Sequence, residues 1–341
     1  MNNKYFGIDF GGTNLRIGQV EADSGEIIGK IFSCPVENVS SNSKLINIIL
    51  KNIPEERCNI GISAAGVLDE ERKILLSAPN SRIKEEITFA KVLENLGYNV
   101  LITNDMKAAS QGAAKYGEGR GFKNIAVMTY SSGLGGAIVR NGVNVTDAEI
   151  GHHVYDPHSD LFCGCGETGH LEIYASGNGA ATRARQFFDI THIINHPIIK
   201  YALEDYNKLN TQRIIFMEEL KNPETQTKVF ASVKAKHIYK AFREEPTMEP
   251  QASIREKQIK AIVYSFGTIV SFYNPINRII LMGSNAEKEV DTLIKPAVDI
   301  YNNSGGKYQH GKLEKPGVVI TQMPEIGVQG AVAYFINQKK Y

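Results

Sequence analysis

The segment Gly7-Ile8-Asp9-Phe10-Gly11-Gly12-Thr13-Asn14-Leu15-Arg16 constrains the fold of this chain more than any other. An apolar strand ends beside an acid, two glycines turn the chain, and Leu15 to Glu21 then alternates with the period of a second strand. In the dinucleotide-binding and P-loop motifs the glycines open a helix, so both of those phosphate-binding architectures are disfavoured. Strands are read at Lys4 to Phe10, Leu15 to Glu21 and Glu26 to Cys34, a β-meander with glycine at each turn. Glycine lets backbone N–H groups approach phosphate oxygens closely, and the Thr13 hydroxyl adds a donor. The plain alternative is a β-turn that uses Gly-Gly only for its positive φ.

Further along, a helix is read at Lys44 to Asn52, a strand around Asn59 to Ser63, a turn at Ala64-Ala65-Gly66, a helix near Ile87 to Leu96 and a strand at Tyr98 to Thr103. Asn104-Asp105 then open a helix from Met106 to Tyr116, at a strand-to-helix junction of the kind where sheet proteins place ligands. Asp105 is a candidate for chemistry there, and the bland reading of the same residue is a helix cap. The opening pattern is echoed by strands at Asn124 to Thr129 and Gly136 to Arg140, which flank Ser131-Ser132-Gly133-Leu134-Gly135, with Asn141-Gly142 as a hairpin signal. Two such turns on two related subdomains could grip a polyphosphate from opposite sides. Asp9 could then hold the hydration shell of Mg²⁺, which keeps several waters in phosphate sites. Residues 178–258 read as a helical elaboration broken at Pro197, Pro223, Pro246 and Pro250. A strand at Arg278 to Met282, a turn at Gly283-Ser284, a helix through the 290s, a strand near Val318 to Thr321 and a helix from Val328 to Asn337 close the chain.

The 341 residues suggest about two domains. With 38 Lys plus Arg against 37 Asp plus Glu, the net charge of +1 gives no basic footprint for nucleic acid. No apolar run reaches the ~18 residues of a membrane span, and Asp9 interrupts any N-terminal export signal, so a soluble cytoplasmic protein is expected. Only four cysteines occur, too few for a disulfide framework. Cys163 and Cys165, with His152 and His170, would complete a closed Cys₂His₂ tetrahedron for structural Zn²⁺. His153 could stand in for His152, and the alternative for the cysteines is a disulfide closing a very tight ring. His158, His192, His196, His237 and His310 read as exposed or locally bonded.

Together, Asp9-x-Gly11-Gly12-Thr13-x-x-Arg16, Asn104-Asp105, Glu149-x-Gly151-His152 and Cys163-x-Cys165-Gly166-x-x-Gly169-His170-x-Glu172 resemble the ROK family of repressors, uncharacterised reading frames and sugar kinases. The resemblance runs from the first strand to Gly327-Val328-Gln329-Gly330-Ala331. It implies an actin-like, ribonuclease-H-like α/β fold with a cleft between two domains, here residues 1–106 with 327–341 and residues 107–326, the last helix packing back on the first domain. It also implies a kinase acting on the 6-hydroxyl of an aldohexose or N-acetylhexosamine, glucose or N-acetylmannosamine ahead of fructose.

By the same resemblance, Asp105 matches the catalytic base, and Gly66, Asn80, Asn104, Glu149, His152 and Glu172 match sugar contacts. Asp9, Gly11, Gly12, Thr13, Asn14, Ser132, Gly133 and Gly283 match the ATP and Mg²⁺ site. His152 is preferred over His153 as metal ligand on this ground. His170 stands where the family usually has a third cysteine, Ser131-Ser132-Gly133 where it has Gly-Thr-Gly, and Gly283-Ser284 where it has Gly-Gly. A homodimer is the family's usual assembly. The rival readings are a sugar-responsive regulator of the same family without its DNA-binding region, disfavoured because no recognition helix precedes the first hairpin, and another actin-like ATPase, which has no reason to carry the zinc-ordered Glu and His group.

Overall fold

The computed structural model describes residues 4–78, 81–211, 213–304 and 315–339, so Asn80 and His310 lie outside the described residues. The strands are β1 (Tyr5–Phe10), β2 (Asn14–Val20), β3 (Ile27–Pro35), β4 (Asn59–Ala64), β5 (Val67–Asp69), β6 (Ile74–Ser77), β7 (Asn99–Asn104), β8 (Asn124–Tyr130), β9 (Leu134–Arg140), β10 (Val143–Ala148), β11 (Arg278–Met282) and β12 (Gly317–Ile320). Ten of them form two five-stranded sheets of one repeated topology, β3-β2-β1-β4-β7 and β10-β9-β8-β11-β12, and β5 pairs with β6 in a separate two-stranded sheet. In each five-stranded sheet, an antiparallel meander is followed by two parallel strands. The meander and its echo are therefore both present. β1 and β4 are buried along almost their whole length, as apolar parallel strands covered on both faces must be. β3, at the edge, is mostly exposed.

The terminal helix Ile326–Gln338 lies against the first sheet at the closest approach a backbone allows. A Cβ on Gly7 of β1 would fall 2.1 Å from Val328 O, and one on Gly61 of β4 the same distance from Ala331 O. On another side of this helix, a Cβ on Gly330 would lie 2.2 Å from Ala108 O in the helix Asp105–Lys115. The pair also reaches the second sheet, where Asn144 donates to Ser110 Oγ at 3.1 Å and Asn337 to Gly142 O at 3.3 Å. Two packed helices thus tie the sheets together, and the N-terminal end of one of them carries Asp105.

Several elements differ from the sequence reading for identifiable reasons. Pro197 and Pro223, read as breaks, each occupy the first turn of a helix, where a missing N–H costs nothing. The helix Gln251–Tyr273 runs well past the expected end of the helical region. The helix through the 290s is divided into Ser284–Lys288, a wider turn at Val290–Ile294, and Lys295–Asn303. Pro296 has no N–H for the carbonyl four residues back, and Arg255 Nε takes that carbonyl of Thr292 at 2.8 Å. No helix among the described residues is long and apolar enough to cross a membrane.

Candidate functional site

The register of the first sheet lines up Asp9 on β1 with Ser63 on β4 and Thr103 on β7, at the carboxyl ends of the parallel strands. Open α/β sheets bind ligands beyond this edge. The first glycine turn is closed by Gly11 N–H donating to Asn14 O at 3.1 Å and held to the following chain by Val36 N–H donating to Thr13 O at 2.8 Å. Asp9 is 8% exposed and accepts from Ser63 Oγ at 3.1 Å. Arg16, opposite Asp9 in the antiparallel pair, brings its guanidinium to 3.6 Å from both the Asp9 and the Glu325 carboxylates. Burial pushes the Asp9 carboxyl up to about 6, against the Ser63 hydrogen bond and Arg16, while Asp105 and Glu325 add to the rise. A Cβ on Gly327 would sit 2.4 Å from Asp9 Cγ, so the start of the terminal helix covers this acid. Ser63, Glu325 and Gly327 were not legible as site residues, because each meets Asp9 only through tertiary packing.

At the end of β7, Asn104 rather than Asp105 is the helix cap, its side chain accepting from Met106 N–H at 2.8 Å. Asp105 Oδ1 lies 2.9 Å from the same N–H. Asp105 stands on the wall common to two cavities. The first, of about 410 Å³, is also lined by Gly66, Asn104 and Glu149. The second, of about 570 Å³, is also lined by Asp9, Gly11, Thr13, Asn14, Ser131 and Gly283. Of the residues expected to meet a sugar, Gly66, Asn104 and Glu149 thus share one cavity with Asp105, and of those expected to meet phosphates, Asp9, Gly11, Thr13, Asn14 and Gly283 share the other with it. Gly12 completes the turn between Gly11 and Thr13.

The second glycine turn is anchored by its carbonyls: Ser131 O accepts from Gly177 N–H at 2.8 Å and Asn285 Nδ2 at 2.9 Å, and Ser132 O from Asn178 N–H at 3.0 Å. Ser132 lines a third cavity of about 360 Å³ that adjoins the second through Ser131, Ser284 and Lys288. Gly133 turns toward Glu172 instead, and its Cβ would come within 2.8 Å of Glu172 Oε2.

His152, Cys163, Cys165 and His170 offer four ligand atoms that all lie within 4.8 Å of one another. His152 Nδ1 is 3.6 Å from Cys163 Sγ and His170 Nδ1 is 3.3 Å from Cys165 Sγ. A tetrahedral Zn²⁺ with ordinary Zn–S and Zn–N lengths has S···N edges of roughly 3.5 Å, so the donor set fits the metal in kind and size. The cysteines are free thiols and each faces a histidine, which disfavours the tight disulfide. His153 instead stacks on Tyr264, with Nε2 3.1 Å from its hydroxyl, and is outside the cluster.

The ring nitrogen of His152 that does not face Cys163 lies 3.8 Å from Glu149 Oε2, so the metal loop backs the wall of the 410 Å³ cavity. Glu172 is one layer further back. Its Oε2 accepts from Leu134 N–H at 3.0 Å and its Oε1 from the Cys163 thiol at 3.5 Å. The cavity holds a pair that sequence reasoning missed: Lys107 Nζ reaches Glu70 Oε1 at 3.0 Å, and Thr103 Oγ1 donates to the same oxygen at 3.1 Å. Glu70 lies on the β5–β6 hairpin, whose strands are too short to show a period.

The family model for the ROK family matches residues 5–333. Over 191 residues the chain is 33% identical to a glucokinase of Streptomyces coelicolor, a match covering 53% of this chain and 58% of that protein, so the alignment spans less than two thirds of the relative's length. It is 27% identical over 303 residues to a glucokinase of Thermotoga maritima, covering 86% of this chain and 85% of the relative. Among solved structures, a ROK hexokinase from Thermus thermophilus superposes with a TM-score of 0.71 at 20% identity, covering 99% of this chain and 100% of that one.

Proposed function

This chain belongs to the ROK family and has its two-domain, actin-like α/β fold, and from that premise we propose that it is an ATP-dependent kinase transferring a phosphoryl group to the primary 6-hydroxyl of an aldohexose or N-acetylhexosamine. The observation that supports this best is the position of Asp105 on the wall between the two cavities. In this reading the sugar occupies the cavity with Gly66, Asn104 and Glu149, braced by His152 and Glu172 from behind, and the phosphates lie against Gly11 to Asn14, Ser131, Ser132 and Gly283. Residues 1–106 with 327–341 make the smaller domain and residues 107–326 the larger, and the working unit is a homodimer.

Asp105 orients the 6-hydroxyl and accepts its proton as the oxygen bonds to the γ-phosphorus, while the bond to the bridging oxygen breaks and ADP departs with the electron pair. A loose phosphoryl-transfer transition state requires alignment more than a strong base. Asp9 would hold waters of Mg²⁺, which supplies charge neutralisation on the phosphates when bound. His152, Cys163, Cys165 and His170 would hold Zn²⁺, whose contribution is to fix the loop. Closure of the domains over the sugar excludes water as a competing acceptor.

The test is a coupled assay of ADP release with glucose, N-acetylmannosamine, N-acetylglucosamine, mannose and fructose. We expect turnover with glucose or N-acetylmannosamine, and an Asp105→Asn variant with unchanged melting temperature and sugar affinity but kcat lower by about 10²–10⁴-fold. ADP release with none of the five sugars refutes the kinase reading, and retained turnover in Asp105→Asn refutes the role of Asp105.

A further inference from the structure

Lys288 ends the short helix that follows Gly283, and it is the one charged residue, among the described residues, that lines both the 570 Å³ and the 360 Å³ cavities. Of the other cations on these walls, Lys234 is also exposed but lines only the 360 Å³ cavity, and the remaining three are engaged. Arg16 is held between Asp9 and Glu325, Arg185 donates to Val233 O at 3.1 and 2.7 Å, and Lys236 pairs with Asp205. Lys288 is exposed and makes no hydrogen bond or ion pair among the described residues. The 570 Å³ cavity otherwise presents the acids Asp9, Asp105 and Glu287, so a polyphosphate entering it meets negative charge on several sides. Mg²⁺ held at Asp9 would offset this around that acid. The seam with the next cavity has Lys288.

Resting on the kinase reading above, we propose that Lys288 binds the phosphoryl donor at this seam, contacting the phosphate nearest the nucleoside and so setting donor affinity. A lysine ammonium is a mobile point charge suited to a phosphate oxygen whose position is fixed by other contacts, here the glycine turns and Ser131. The ligand chemistry is that of a nucleoside polyphosphate, with the phosphate chain in one cavity and the nucleoside in the other.

The experiment compares wild type, Lys288→Met and Lys288→Arg by titration calorimetry with ADP and with adenosine, and by steady-state kinetics. Lys288→Met should weaken ADP binding and raise the KM for ATP by about tenfold, the range of a charge-assisted hydrogen bond. Adenosine affinity, sugar KM and melting temperature should not move, and Lys288→Arg should stay within about threefold of wild type because it keeps the charge. Equal ADP affinity in wild type and Lys288→Met, in a wild-type enzyme that turns over, overturns the assignment and leaves the kinase reading intact. An equal loss of adenosine binding also overturns it, since the side chain would then not be reading phosphate. A wild type that neither binds ADP nor releases it with any sugar removes both.

Discussion

The contact between the terminal helix and the Asp105 helix makes Gly330→Ala a sharp test of how this site is built. An added Cβ would lie 2.2 Å from Ala108 O, 2.5 Å from Ala108 C and 3.0 Å from Ala109 N, all backbone atoms of the neighbouring helix. No side chain can swing away, so the helices must part by roughly 1 Å to restore an ordinary van der Waals distance. Overpacking against rigid backbone costs about 3 kcal/mol, the upper part of its usual range. In a chain of this size that lowers the melting midpoint by roughly 6 °C. Asp105 sits at the first turn of the displaced helix, while Asp9 is covered by the helix that displaces it. A shift of that size between reacting groups lowers kcat by about 10²-fold. Gly267→Ala is the control: nothing lies within 4 Å of its added Cβ in the helix Gln251–Tyr273, so improved helix propensity should stabilise by up to ~1 kcal/mol and leave activity alone. Thermal melts and ADP release on the two variants decide the matter. A Gly330→Ala protein that melts and turns over like wild type would show that the helix pair does not set the geometry of the site.

Elemental analysis should find one zinc per chain, and Cys165→Ser should lose it, melt earlier and show a raised sugar KM, because the loop that backs Glu149 is then unbraced. His196 caps the helix Pro197–Leu209 through Nδ1, which accepts from Ile198 N–H at 3.2 Å, while Nε2 bonds Glu249 O at 2.8 Å, an arrangement that requires the neutral ring. Burial holds its pKa below the usual 6.5, so the folded state binds fewer protons than the unfolded one and stability falls as pH drops through that value. His196→Asn keeps a cap without titrating, and urea midpoints at pH 7 and pH 5 should differ less for it than for wild type. Lys107→Met breaks the link to Glu70 across the 410 Å³ cavity and, on the proposed mechanism, should raise the sugar KM by about threefold without changing that for ATP.

Where local chemistry dictates structure, the sequence could be read directly. The alternation from Leu15 excluded a helix after Gly12, and Asn141-Gly142 does turn with positive φ at both residues, 51° and 80°. β10 follows that turn, yet Val143-Asn144-Val145-Thr146 is too short and too exposed to declare itself. The β5–β6 hairpin escaped for another reason: its turn, residues 70–73, holds no glycine, asparagine or proline, and Lys73 takes the positive φ of 57° instead. The cluster of His152, Cys163, Cys165 and His170 was legible because thiols and imidazoles carry their chemistry with them. Ser63, Glu325 and Lys288 carry no such label, and only the fold brings them to Asp9 or to the 570 Å³ and 360 Å³ cavities.

The terminal helix shows why residues so distant in sequence belong to one site. Gly327 and Gly330 are three residues apart and so share a face of that helix. At the first, the missing side chain admits the Asp9 carboxyl, and at the second it admits the backbone that carries Asp105. The two acids come from the ends of β1 and β7, separated in the sheet by β4, and neither turn alone fixes their spacing. One rigid helical turn pressed against both does so. A side chain at either glycine therefore acts on the relation between Asp9 and Asp105, and on the proposed mechanism enlargement at Gly327 should impair donor binding first, because it displaces Asp9 directly.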